Sequence, residues 1–113
     1  IFDNEKQIDM ATAISGSGPG FVFNLVDAME KSAIRLGFNK NIAHTLVTQT
    51  FYGSISLLIK KNISPEKLVK TVATKGGTTE AGLKVMKQKK VHEIFIKLVK
   101  SSYKKAKQQG EYE

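Results

Sequence analysis

The chain has 113 residues, 41% of them hydrophobic, and a formal net charge of +8. That length supports one domain with one modest core, and that composition belongs to a globular chain rather than a disordered one. With no cysteine there is neither a disulfide nor a thiolate metal site, and two isolated histidines, His44 and His92, do not make a metal centre.

No segment alternates as a strand does, and the apolar periodicity is helical throughout. Val22, Leu25, Val26, Met29, Ala33 and Leu36 recur at helical spacing. Pro19 suits the first turn of that helix and Gly37 its end. Phe21, Phe23 and Ile34 lie off the stripe, so the helix is apolar over much of its circumference and is expected to be covered on more than one side. The next segment, Asn41 to Ile59, carries no Asp, Glu, Lys or Arg. His44, Thr45, Thr48, Gln49, Thr50, Ser54 and Ser56 make it too polar for a membrane span, while Gly53 permits close backbone approach. Two such helices are hard for one small core to cover, which predicts packing against another subunit.

Ser64-Pro65-Glu66 reads as a helix start: a capping hydroxyl, Pro at the first helical position and an acid near the positive dipole end. Gly76-Gly77 is expected to end that helix, and another is expected to begin at Thr78 or Thr79. The last helix places Val91, Ile94, Phe95, Leu98 and Ser102 on one face, and Lys97, Lys100, Lys104 and Lys107 on the other. The end, Gln108 to Glu113, is expected to fray. The spacing predicts an all-α domain of about five or six helices with short connections.

Charge is uneven along the chain. Residues 1–57 hold four basic and five acidic groups, net −1; residues 58–113 hold fourteen and five, net +9. All the basic residues but Arg35 are lysines. Base and phosphate recognition favours the arginine fork, so a solvated lysine surface fits better than a nucleic-acid reader.

Two glycine segments carry the chemistry. Gly76-Gly77-Thr78-Thr79 stands directly before a helical run, where glycines let a ligand approach and first-turn amides point outward. That combination suits a small carboxylate or phosphate; the plain alternative is a glycine turn and a threonine-capped helix. Gly16-Ser17-Gly18-Pro19-Gly20 is neither a dinucleotide fingerprint nor a phosphate loop, and alone reads as a glycine turn before a Pro-started helix.

Their order and spacing are more specific. Asp9-Met10-Ala11-Thr12-Ala13-Ile14-Ser15-Gly16-Ser17-Gly18-Pro19-Gly20-Phe21-Val22-Phe23 resembles the segment that opens the C-terminal domain of pyrroline-5-carboxylate reductases. Arg35-Leu36-Gly37, Gln49-Thr50 with Gly53, Ser64-Pro65, and Gly76-Gly77-Thr78-Thr79 with Ala81-Gly82-Leu83 follow in the same order. The resemblance covers nearly the whole chain. It implies a cytoplasmic, helical C-terminal domain, residues 1–113, that interleaves with a second copy as a homodimer or a larger oligomer. The nucleotide-binding Rossmann domain would lie outside this sequence, and the start at Ile1-Phe2-Asp3 reads as the start of a piece.

The family reduces 1-pyrroline-5-carboxylate to L-proline with NADPH or NADH. The resemblance implies that Gly76, Gly77, Thr78 and Thr79 bind the substrate and that the Thr79 hydroxyl meets the imine nitrogen. It places Thr12 near the nicotinamide and substrate; the alternative for Thr12 is a helix threonine bonded to its own backbone. One departure is Thr74-Lys75, where the family has Ser-Pro; Lys75 restores a backbone N–H and adds a cation.

Two other readings compete. A dehydrogenase of the 6-phosphogluconate type uses a lysine a few residues after a glycine segment, but Phe21-Val22-Phe23-Asn24 stand there and Lys31 comes too late. A non-enzymatic helical module could bind nucleic acid through the Lys97–Lys107 stripe; retention on heparin that survives physiological salt would identify it.

Overall fold

The computed structural model describes residues 4–73 and 77–111. Among these residues every element is helical: α1 (Glu5–Ala11), a π-turn (Thr12–Gly16), α2 (Gly18–Leu36), α3 (Lys40–Lys61), α4 (Pro65–Ala73), α5 (Gly77–Gln88) and α6 (Val91–Glu111). The chain forms two compact units. One runs to Phe23 and resumes at Met86; the other is Asn24–Val85.

In the first unit α1, the π-turn and α6 pack on one another. Asn4 caps α1, its side-chain oxygen accepting from the Gln7 N–H at 2.9 Å. Ala13, in the π-turn, is buried. Met10, Ala13 and Ile14 face Phe95, Ile96 and Val99 of α6 across an apolar groove. The far end of α6 stays helical through Glu111, where fraying was expected. A Cβ on Gly110 would stand 3.8 Å from a carboxylate oxygen of Asp9, so α1 lies alongside the end of α6.

In the second unit α2 ends as its sequence suggests. Gly37 takes φ 125. The Gly37 N–H bonds the Ile34 carbonyl (3.0 Å) and the Phe38 N–H bonds the Ala33 carbonyl (3.2 Å), which is a Schellman ending. Asn39 then caps α3 by accepting from the Ile42 N–H at 2.9 Å. Glu30 of α2 holds His44 of α3, with both carboxylate oxygens 3.1 Å from Nδ1. Ser64 caps α4, accepting from the Lys67 N–H at 3.2 Å.

The faces are where sequence and structure part. The α2 stripe is regular, yet no residue of α2 is buried. Phe23 is 70% exposed and Leu36 84%. Among the described residues only Ala13, Ala43 and Val47 are buried apolar groups, against twenty-three exposed large apolar side chains. Isolated apolar residues on a surface are ordinary; a set this large is not, and is characteristic of an interaction surface.

Against the sequence reading that its polar residues make it too polar, α3 is by length and composition long and apolar enough to cross a membrane. It is equally suited to a protein interface. Thr48 donates to the His44 carbonyl and Thr50 to the Leu46 carbonyl, each at 2.7 Å. These hydroxyls already have partners, so covering them strands no donor. A Cβ on Gly53 would meet nothing within 4 Å, so the close approach expected there is not made by the described residues of this chain.

Candidate functional site

The two threonine-bearing segments adopt different backbones. α5 begins at Gly77, so Gly77, Thr78 and Thr79 are the first three residues of a helix of twelve. The helix starts one residue earlier than the sequence suggests. Thr78 and Thr79 therefore lie inside the first turn rather than in the flanking position from which a threonine caps. Amide groups of a first turn have no acceptor within the helix, and the dipole of the helix concentrates positive potential there. Three successive residues thus bring N–H donors to one helix end. Thr78 is exposed and Thr79 half-buried. Among the described residues no hydrogen bond occupies the Thr79 hydroxyl. Gly76, Thr74 and Lys75, which the sequence also marks, lie outside the described residues. A Cβ on Gly77 would meet nothing within 4 Å, and the residue has no positive φ, so freedom to turn is not what requires glycine there.

Thr12 opens the π-turn, in the other compact unit. The turn is closed by the Ser17 N–H, which bonds the Thr12 carbonyl at 2.9 Å, five residues back. Such insertions are rare in helices and recur at functional sites. The Thr12 hydroxyl donates to the Ile8 carbonyl at 2.9 Å. This is the backbone-bonded alternative raised from sequence. It uses the hydroxyl proton and leaves the oxygen lone pairs, so Thr12 is placed to accept a hydrogen bond rather than to donate one.

The glycines of Gly16-Ser17-Gly18-Pro19-Gly20 do not form the loose turn expected of them. Among the described residues Gly37 alone of the glycines has positive φ. Gly16 closes the π-turn, and a Cβ on it would stand 3.4 Å from Cγ2 of Thr12. Gly18 and Pro19 start α2, and the N–H groups of Gly20 and Phe21 bond the Ser17 carbonyl at 3.0 and 3.4 Å. Pro19 has no N–H to give. The segment follows a helix rather than a strand, and its next amides are spent internally. These residues do not fit the pyrophosphate of a dinucleotide, so the described elements provide no nucleotide cradle.

Neither the π-turn nor α1 was foreseen in sequence. For α1 a signal existed: Asn4 as cap with Glu5 in the first turn. The π-turn has none, since Thr12–Gly16 differs from an α-helical stretch only in its hydrogen-bond partners.

Residues 5–109 match the family described as pyrroline-5-carboxylate reductase dimerisation. The chain is 38% identical over 102 residues to pyrroline-5-carboxylate reductase 2 of Bacillus subtilis, covering 90% of this chain and 37% of that protein. It is 33% identical over 103 residues to the pyrroline-5-carboxylate reductase of Aquifex aeolicus, covering 91% and 39%. Among solved structures it resembles the pyrroline-5-carboxylate reductase of Coxiella burnetii, with a TM-score of 0.89, 34% identity, and coverage of 95% of this chain and 40% of that one. It also resembles the Plasmodium falciparum pyrroline carboxylate reductase with NADP bound, with a TM-score of 0.90, 28% identity, and coverage of 96% and 41%. The chain therefore spans about two fifths of the length of these relatives. A family match over residues 5–109, joined to an all-helical fold with apolar faces left for a second chain, decides among the readings of the sequence: this chain belongs to the pyrroline-5-carboxylate reductase dimerisation family.

Proposed function

We propose that this chain is the helical half of a cytoplasmic enzyme that reduces 1-pyrroline-5-carboxylate to L-proline. The observation that carries the reading is the match over residues 5–109 to the dimerisation family of that reductase. A nicotinamide cofactor, NADPH or NADH, supplies the hydride and is held by a nucleotide-binding domain outside this sequence.

This chain's residues bind and orient. The first-turn amides of α5, at Gly77, Thr78 and Thr79, hold the substrate carboxylate; Gly76, which the resemblance also assigns to the substrate, lies outside the described residues. The Thr79 hydroxyl lies on the same turn, close to those amides in sequence. As the imine carbon is reduced, its nitrogen becomes basic. A hydroxyl held there donates a hydrogen bond to that nitrogen or relays a proton to it. Thr12 offers an oxygen lone pair to a ligand donor. Homodimerisation, with the helices of two copies interleaved, covers the apolar faces of α2 and α3. A second copy, rather than a membrane or a nucleic acid, is the partner.

The test is a full-length protein carrying this domain, assayed for pyrroline-5-carboxylate-dependent oxidation of NADPH and of NADH. Turnover to proline, with a dimer or larger assembly by light scattering, is expected. An assembled protein that binds cofactor but does not reduce pyrroline-5-carboxylate would overturn the substrate assignment.

A further inference from the structure

We infer that Ser102 of α6 is a positioning residue which, through Ser17, holds the π-turn that presents Thr12. The inference rests on the role given to Thr12 in the proposed function. Ser102 Oγ donates to Ser17 Oγ at 2.7 Å. The two are eighty-five residues apart in sequence and both half-buried. The Ser17 N–H in turn bonds the Thr12 carbonyl at 2.9 Å. Two hydrogen bonds thus connect α6 to the backbone of Thr12. Both lie in the same compact unit, as does the buried Ala13 beside Thr12.

A π-turn needs such a hold. Its i→i+5 pairing is poorer than the α-helical one, and it persists where its surroundings fix it. The accommodated extra residue also sets direction. An α-helix turns about 100° per residue, so losing the insertion would rotate Thr12 relative to α2 by about that much. Gly16 adds a local constraint: the turn brings it against the Thr12 side chain, where a Cβ would stand 3.4 Å from Cγ2. Ser102 itself is one hydroxyl on a face that otherwise carries Phe95, Leu98 and Val99. Packing alone would be served by alanine there. Its hydroxyl finds its partner on the turn.

Steady-state kinetics and melting temperatures of the full-length protein test the inference with Ser102→Ala, Ser17→Ala, Ser102→Thr, Thr12→Val and the Thr12→Val/Ser102→Ala pair. Ser102→Ala and Ser17→Ala should each raise KM for pyrroline-5-carboxylate about fivefold, the scale of one neutral hydrogen bond, while kcat changes less than about twofold. Ser102→Thr keeps the hydroxyl and should restore KM. The pair should be no worse than Thr12→Val alone, because residues acting as one unit are not additive. Unchanged KM with a lowered melting temperature, or an additive pair, would overturn the positioning role. An inactive wild-type protein would instead overturn the proposed function, and this inference with it. An active wild type indifferent to Ser102→Ala would overturn this inference alone.

Discussion

The π-turn that carries Thr12 and the first turn of α5 that carries Thr79 place the same side chain in opposite circumstances. Thr12 sits after a helix whose carbonyl at Ile8 takes its proton. Thr79 sits at a helix start, where no carbonyl one turn earlier belongs to the same helix. A threonine late in a helix is thereby made an acceptor, and one in the first turn is left able to donate. In the proposed function the backbone, not the residue type, divides the roles. The proposed chemistry uses the donor at the nitrogen that gains a proton.

Removing the second copy should have the largest effect. Leu57→Asp puts a charge on the exposed apolar surface of α3 that we assign to the dimer interface. The substituted chain should aggregate or unfold, with both threonines silenced together, because an unpaired buried charge costs several kcal/mol, roughly 3–5. A soluble, fully active Leu57→Asp protein in sedimentation and turnover assays would remove α3 from the interface. In the wild type, a monomer by light scattering at micromolar concentration would defeat the dimer itself. The 113-residue chain alone is expected to show no turnover with NADPH, and measurable proline formation by it would contradict the division of labour between domains.

Substitutions at the threonines should have smaller effects. Thr12→Val should raise KM about fivefold with little change in kcat, as befits loss of one accepted hydrogen bond. An equal fall in kcat would make Thr12 a donor in the transition state after all. Thr79→Ser keeps the hydroxyl and should retain most of kcat; a serine enzyme as slow as a valine one would show that the methyl group matters instead. Thr78→Val should leave both constants within error, since only the backbone of Thr78 is assigned a role.

Much of the fold was legible because it is written in local chemistry. Gly37 ends α2 by adopting a φ that other residues avoid, and Ser64-Pro65-Glu66 starts α4 with a hydroxyl cap at the expected spacing. What was not legible depends on contacts that local pattern does not encode. The stripe Val22 to Leu36 marks a helix, but not which chain covers it, and α2 buries nothing within its own chain. Gln108 to Glu113 reads as a fraying end, yet α6 stays helical through Glu111 and Gly110 lies beside Asp9 of α1. Within the candidate site, the start of α5 near Thr78 and Thr79 was readable from Gly76-Gly77, whereas the π-turn at Thr12 arises from pairing five residues apart and a tie to Ser102, neither of which has a composition.

The most direct measurement is kcat, KM and melting temperature of full-length Thr79→Val beside wild type in the same preparation. If the Thr79 hydroxyl meets the imine nitrogen, kcat should fall roughly ten- to a hundredfold, while KM, set by the first-turn amides, moves less and the melting temperature holds. A Thr79→Val enzyme with wild-type kcat would contradict the donor role and leave Thr79 as no more than a helix residue.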